Sequence, residues 1–479
     1  MRFPYVVLLS ACALMLALPL AAQSTNGGIN GLVVDPSTHV IVGADVVVVN
    51  DVTGLKYTTK TNEDGIYVLP NLPPGPYRLQ VSKVGFKTLI KPDIVLNIQD
   101  ALSINFTLPV GAAFESVTVE GGASMINTTD ASVSTMIDHT YVENMPLNGR
   151  SFQDLILLTP GIVTNSPQSA SGLGVTGEFS VNGQRTESNY YTVDGVSANV
   201  GATAGSNQYT TSASGSVPTA TALGTTQALV SVDDLQEFRV NSSTYSAEYG
   251  HNPGGQFAFE TKSGTNQWHG TAYDYLRNGY FDAQDWFNDY FGTPKAALRQ
   301  NDFGGTFGGP VEVPGLYHGK DKTFFFVSYE GLRLTAPQAA TISYVPDNCL
   351  RGVIADCVGA NTPGAAALQP VLNAFPVPNG PDLGNGTAEY IGSWSNPAAL
   401  NSTSVRFDHV VNDKLRLFFR FSDTGSSSAS RGTSAVGSIP TVETIAAYKM
   451  RTYTVGANSI FSSRFSNEFR LNYSSNDVG

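Results

Sequence analysis

The feature that most restricts the fold is a two-residue alternation of apolar and polar side chains that recurs through the second half of the chain. From Leu415 to Ser422, Leu415, Leu417, Phe419 and Phe421 stand against Arg416, Arg420 and Ser422, and a tight Asn412-Asp413 turn joins this stretch to Ser404–Val411. Arg464 to Tyr473 repeats the pattern, with Phe469, Leu471 and Tyr473 opposite Glu468, Arg470 and Asn472. A period of two belongs to strands, because successive side chains of a strand point to opposite faces. About seven such strands of roughly ten residues follow Thr265, with loops that lengthen on alternate sides. Apolar outside and polar inside over about ten residues is the pattern of a strand that crosses a membrane as part of a barrel.

The N-terminus is consistent with export. Met1-Arg2 is followed by an apolar run from Val6 to Leu18 and by the small residues of Pro19-Leu20-Ala21-Ala22-Gln23, which reads as a secretory signal peptide over residues 1–22, cleaved after Ala22. Cys12 lies inside the apolar run, so plain cleavage is preferred over lipidation. No later window holds the roughly eighteen uncharged apolar residues of a spanning helix. An exported chain of this kind is periplasmic, secreted or a barrel in the outer membrane. Its 48 glycines, 21 tyrosines and 25 phenylalanines with 14% charged residues favour strands over helices. A net charge of -12 argues against nucleic acid as a partner, since phosphates need clustered Lys and Arg. In an oxidising compartment Cys349 and Cys357 are expected to form a disulfide closing a loop rich in Pro, Asn, Gly and Ala. No histidine lies near them, so a metal site is not expected there.

The chain divides into segments by texture. Residues 27–110 show short alternating strands, with Tyr77, Leu79 and Val81 against Arg78, Gln80 and Ser82, and with Leu102, Ile104, Phe106 and Leu108 against Ser103, Asn105 and Thr107. Asn62-Glu63-Asp64-Gly65 and Pro73-Pro74-Gly75 read as turns, and roughly seven strands make an immunoglobulin-like β-sandwich. Residues 111–125 form a linker, residues 126–265 a mixed α/β domain with glycine-rich loops, and residues 266–479 the first strands of an antiparallel barrel. In the mixed domain Ser151 is expected to cap a short helix that buries Phe152, Leu155 and Ile156 and stops at Pro160-Gly161. Asn199 to Thr226 is almost wholly Ala, Gly, Ser, Thr and Asn and reads as a long loop.

Motifs for catalysis are weak. Gly172-Leu173-Gly174-Val175-Thr176-Gly177 fits a dinucleotide fingerprint but follows no strand and opens no helix. The histidines, His39, His139, His251, His269, His318 and His409, form none of the pairs that hold a catalytic zinc, and no Gly-x-Ser-x-Gly elbow occurs. No enzyme activity, cofactor or metal is expected. Asp233-Asp234 and Glu237 are read as a solvated turn before a strand. The aromatics Tyr273, Tyr275, Tyr280, Phe281, Trp286, Phe287, Tyr290 and Phe291, and likewise Trp268, suit either an interfacial girdle or a platform for sugar rings.

Longer blocks carry a family resemblance. Thr61 to Thr88, TNEDGIYVLPNLPPGPYRLQVSKVGFKT, resembles the carboxypeptidase regulatory-like domain, an accessory module with no implied peptidase activity. LNGRSFQDLILLTPGI (Leu147 to Ile162), VNGQRTESNYYTVDGV (Val181 to Val196) and the run from Val232 to Asn278 resemble the plug and first barrel strand of TonB-dependent receptors of the Oar-like group. FGGTFGGPV (Phe303 to Val311) and KDKTFFFVSYEGLRL (Lys320 to Leu334) extend the likeness. The resemblance implies an outer-membrane receptor whose barrel is filled by a plug, opened by the inner-membrane TonB complex to admit a large solute such as an oligosaccharide, peptide or chelated metal. It implies contact with outer-membrane lipid, and it places a TonB-box-like segment at Glu115, Ser116, Val117, Thr118 and Val119, which would add as a strand to its partner. About seven strands are too few to close around a plug, and the chain ends at Asn476-Asp477-Val478-Gly479 without an aromatic-terminated strand, so an incomplete barrel is expected. A surface adhesion or carbohydrate-binding protein, with the barrel as anchor, is the competing reading.

Overall fold

The computed structural model describes residues 25–111, 116–118, 132–145, 147, 150, 153–164, 179–200, 221, 229–246, 249–357, 361–431, 441–462 and 465–478. The signal-peptide stretch, Glu115, Val119, Ser151, Phe152, Gly172–Gly177 and most of the loop expected from Asn199 to Thr226 lie outside these residues.

The N-terminal strands form two sheets. One contains Ile66–Leu72 paired with Gly27–Val34, against which Ala101–Ser103 and Phe106–Thr107 run in parallel. The other has the order Lys56–Lys60, Asp45–Asn50, Gly75–Ser82, Thr88–Leu96 and Ser116–Thr118. Alternation decides which side chains fill the space between them. Tyr77, Leu79 and Val81 are fully buried while Arg78 and Gln80 are exposed, and Leu102, Ile104, Phe106 and Leu108 are buried on the other sheet. Removing one such side chain, as in Leu79→Ala, costs about 2–5 kcal/mol because transfer and cavity terms add. Gly31 is required where Gly27–Val34 passes the link between Ala101–Ser103 and Phe106–Thr107, since a Cβ there would lie 1.8 Å from the Ile104 carbonyl oxygen. The Asn62 turn is self-bonded: its Oδ1 accepts from the amides of Asp64 (3.0 Å) and Ile66 (2.8 Å), and Gly65 takes φ +72°.

The middle domain is built on a five-stranded sheet in the order Val133–Ile137, Leu235–Ser243, Gln256–Thr261, Tyr190–Val193 and Val196–Ser197. Phe257 and Phe259 alternate with Gln256, Ala258 and Glu260, yet all six residues of the Gln256–Thr261 strand are buried. The aromatic residues supply the core, where the rings of Tyr191 and Phe257 stack at 4.6 Å and those of Phe238 and Phe259 at 5.3 Å. Leu155 and Ile156 of the short helix Gln153–Ile156 close the same core, and Gly161 follows with φ +83°.

The C-terminal half is a seven-stranded antiparallel meander, here called the wall: His269–Asn278, Arg299–Pro310, Thr323–Pro337, Ser395–Asn412, Leu415–Arg431, Glu443–Ser462 and Phe465–Val478, each paired with the next. Its strands run to 20 residues, longer than the ten the apolar alternation suggested. The reason is visible in Gly425–Arg431, where a serine-rich stretch with no apolar pattern continues the ladder opposite Glu443–Lys449. The apolar band occupies only part of each strand. Burial is inverted relative to a soluble sheet: Arg420 is 2% exposed and Thr454 0%, whereas Phe469, Leu471 and Tyr473 are 52%, 61% and 65% exposed. Polar residues therefore face the middle domain and apolar ones face away, as a wall with lipid on its outer side requires. No helix among the described residues is long and apolar enough to cross a membrane; the elements that suit a crossing here are strands.

Candidate functional site

The middle domain, called the plug from here on after the resemblance its sequence carries, meets the wall at two clusters of buried charge. The first is built on the turn between Tyr190–Val193 and Val196–Ser197, where Asp194 (φ +50°) and Gly195 (φ +79°) form the two central residues of a tight hairpin. That turn pushes the Asp194 carboxylate toward the wall, where it is 1% exposed. Its Oδ1 accepts from the Thr261 amide at 2.9 Å, Arg420 Nε lies 2.8 Å from Oδ2, and Arg406 Nη1 lies 3.2 Å from Oδ1. Arg406 also reaches Glu260 at 3.2 Å, the Thr261 carbonyl at 2.9 Å and Asp408 at 3.0 Å. Arg470 donates to the Asp194 carbonyl at 3.2 Å and pairs with Glu468. The guanidinium groups of Arg406 and Arg470 stack on the Phe418 ring at 4.9 and 4.8 Å. Three wall arginines thus surround the plug carboxylates, and each charge has a partner. Burial, reinforced by the neighbouring Asp194, holds the Glu260 carboxyl above its usual range.

The second cluster has fewer cations for its acids. Arg150, in the left-handed region at φ +52°, pairs with Asp233 at 2.5 Å and stacks over Tyr273 (4.7 Å) and Tyr275 (5.1 Å) of the first wall strand. Asp302 and Glu330 of the wall are buried around the same guanidinium group, at 1% and 6% exposure. Neither oxygen of Asp302 has a hydrogen-bond partner among the described residues. One arginine serves three carboxylates.

A third contact joins plug to sandwich. Alternate side chains of the strand Leu235–Ser243 engage one turn of the sandwich: Glu237 accepts from the Ile98 amide, Arg239 pairs with Asp100, and Asn241 donates to Gln99 at 3.2 Å. Glu237, Arg239 and Asn241 are all buried, and burial pushes the Glu237 carboxyl up to about 8. The sandwich also touches the near end of the wall, where Asn266 donates to the Thr53 carbonyl at 2.6 Å and Arg416 lies 3.8 Å over the Tyr57 ring.

These contacts correct the reading of Asp233-Asp234 and Glu237 as a solvated turn. Asp234 is 1% exposed and its carboxyl is raised to about 6 by burial, opposed by Arg420. Sequence alone cannot tell a turn in water from a turn capped by another domain. The aromatic run splits in two: Tyr273 and Tyr275 face the plug through Arg150, whereas Tyr280, Phe281, Trp286, Phe287 and Tyr290 are exposed in the loop beyond the first strand. Trp268 stacks on Phe307 at 5.5 Å on the outward face. Ser116–Thr118 runs parallel to Thr88–Ile90 at the edge of the sandwich. The sulfurs of Cys349 and Cys357 are bonded, in the long segment between the third and fourth wall strands. Of the charged residues at the plug–wall interface, Arg150, Asp194 and Glu260 lie within the blocks that carry the family resemblance, but nothing in those blocks marks them as interface residues, and Arg406 lies in none. Their one signal is arginine at plug-facing positions of otherwise apolar-patterned strands.

Known proteins bear out the architecture. Residues 260–479 match the outer membrane beta barrel domain, and residues 28–109 match the carboxypeptidase regulatory-like domain. The wall is thus similar to an outer membrane beta barrel domain and the sandwich to a carboxypeptidase regulatory-like domain. More particularly, the chain is similar to the TonB-dependent transporter Oar of Myxococcus xanthus, 27% identical over 323 residues that make up 64% of this chain and 27% of the relative. The chain therefore spans about a quarter of that relative's length. Among solved structures, the outer membrane transporter YddB from Escherichia coli aligns with a TM-score of 0.47 at 12% identity, over 71% of this chain and 38% of that one. The siderophore receptor PirA from Acinetobacter baumannii aligns with a TM-score of 0.44 at 14% identity, over 72% and 40%.

Proposed function

We propose that this chain is the receptor end of a TonB-dependent transporter, in which the plug closes the lumen side of the wall and is displaced to admit a large solute to the periplasm. The observation that carries the reading is the Asp194 cluster, where a plug hairpin is held by arginines from the polar faces of the fourth, fifth and seventh wall strands: Arg406, Arg420 and Arg470. A charged, hydrogen-bonded interface is specific in geometry but exchanges readily for water, which suits a part that must hold and then release. The segment Glu115 to Val119 is the proposed TonB contact. In support, Ser116–Thr118 already adds as a strand to one sheet edge, the geometry it would repeat on its partner. The contact of the turn Asn97–Asp100 with Glu237, Arg239 and Asn241 favours a sandwich that works on the plug over a free adhesion module. The solute belongs to the large class of oligosaccharides, peptides or chelated metals.

The test is a photo-cross-linking residue at Val117 of the full chain in living cells. Capture of the inner-membrane TonB protein, lost when residues 115–119 are replaced by a glycine-serine segment, supports the reading. A chain present in the outer membrane that never captures TonB contradicts it.

A further inference from the structure

The outward face of the wall changes character along its length. Phe325, Phe407, Phe419, Val455 and Leu471 lie in one row across the strands, and Val327, Val405, Phe421, Tyr453 and Tyr473 in the next. Farther from the sandwich the rows turn polar, through Thr403, Asp423 and Arg451 to Arg333, Ala399 and Ser427. This polar end carries the long connections 279–298 and 338–394, whereas the end beside the sandwich has the shorter connections 311–322 and 413–414. Short turns mark the periplasmic end of an outer-membrane barrel and long loops the outside. The polar rows therefore sit at the level of the outer-leaflet headgroups.

A groove of about 920 Å³ opens at this level, shared by the ends of the wall strands. Its floor is made of small residues, Ala399, Ser427 and Ala429, with Leu276 and Ile445 at its sides, 75% and 68% exposed. Arg299 and Arg333 face it from the outward side. Arg333 is held in place: Nη1 donates to the carbonyls of Leu332 (2.8 Å) and Leu400 (3.0 Å), Nη2 donates to Asn401 Oδ1 (2.8 Å), and the guanidinium lies 5.6 Å over the Phe303 ring. The lining contains one carboxylate, Asp282, and Arg277 takes it at 3.3 Å. The other outward cations are different, since Lys449 and Arg451 both share Asp423 at 3.6 Å.

We propose that this groove binds the phosphate-bearing headgroup of an outer-leaflet glycolipid. Arg299 and Arg333 would meet the phosphates, and Leu276, Ile445 and the alanine floor the first acyl carbons. Guanidinium groups suit phosphate oxygens in charge and in geometry. An aliphatic floor gives a free phosphate nothing to bury, but gives a lipid's first acyl carbons an apolar surface at Leu276, Ile445 and the alanines. The inference is independent of transport, because it concerns the face of the wall turned away from the plug.

The test uses the full chain, purified from outer membranes in dodecyl maltoside, stripped of lipid and titrated with lipid A bearing two phosphates while native mass spectrometry counts bound copies. R299A/R333A is expected to bind at least about tenfold more weakly, the loss of roughly one charge-assisted contact. Dephosphorylated lipid A should bind the unaltered chain with a similar loss, and K449A/R451A should bind as the unaltered chain does. A399W, which fills the floor and leaves every charge in place, should also lose binding, and it serves if the double arginine variant fails to fold. Equal binding by folded R299A/R333A, or by A399W where that variant stands in, overturns the proposal. So does displacement of lipid A by millimolar inorganic phosphate, which would make the groove a free-anion site.

Discussion

The two charge clusters between plug and wall differ in balance, and the difference indicates how such an interface can both hold and yield. Around Asp194 and Glu260 the wall supplies Arg406, Arg420 and Arg470 along with the acids Asp408 and Glu468, and the Thr261 amide completes the shell. Around Arg150 the wall supplies no cation but two further acids, Asp302 and Glu330, with the rings of Tyr273 and Tyr275, beside the plug's own Asp233. A buried charge with its partners removed is far more costly than one never buried, whereas crowded like charges are relieved by removal. The first cluster is accordingly an anchor. The second is a seam that carries repulsion in the resting state and gives way first.

Several substitutions would break or sharpen this contrast. The largest effect is expected from Asp194→Ala, which leaves Arg406 and Arg420 buried without their shared carboxylate and should loosen the plug by about 3–5 kcal/mol. Protease cleavage within the plug, compared with the unaltered chain in outer-membrane vesicles, measures it; unchanged cleavage would remove the anchor from the account. Leu471→Arg tests the wall itself. It places a charge on the outward apolar face and should cost about 2–4 kcal/mol of folding in lipid near mid-membrane, read by urea titration in vesicles, while a change near zero would mean that this face does not meet lipid. Opposite in sign is Asp302→Asn, which removes one of the crowded carboxylates around Arg150 and should tighten the plug by about 1 kcal/mol. A destabilised plug in that variant would mean that the two clusters do not differ as described.

A further effect concerns pH and the contact between sandwich and plug. The Glu237 carboxyl is raised to about 8 from an ordinary value of 4.5, so the docked state holds a proton that the undocked chain releases. Its contribution to docking is fully present below about 4.5 and is lost as pH rises from there through about 8. Hydrogen exchange at Ile98, measured across that range, should show protection falling with pH, and Glu237→Gln should flatten the trend. A slope of the same size in the glutamine variant would assign the effect to another group.

Much of this architecture was legible because alternation encodes faces. Leu417 and Phe419 against Arg420 already specified a strand with a polar side and an apolar side, and the structure places the polar side against the plug. The sandwich was legible for the same reason, through Tyr77, Leu79 and Val81. Strand ends were not, because the serine-rich ladder from Gly425 onward is held by backbone pairing that needs no apolar pattern. The charge clusters were the least legible. Asp194 lies 212 residues from Arg406, Asp233 83 from Arg150 and Glu237 139 from Ile98, so only the folded chain brings them together. Outward Arg333 and inward Arg406 look alike in sequence; only register separates a lipid-facing cation from one that holds the plug.

The central claim is that the plug is a part held to the polar face of the wall through Asp194, distinct in stability from the wall. Amide hydrogen exchange of the full chain in outer-membrane vesicles tests it most directly, comparing the unaltered protein with Asp194→Ala over Leu235–Ser243, Gln256–Thr261 and the wall strand Leu415–Arg431. The account expects the two plug strands to lose protection together in the variant while the wall strand keeps its own. Unchanged protection in the plug strands, or equal loss in plug and wall, would contradict it.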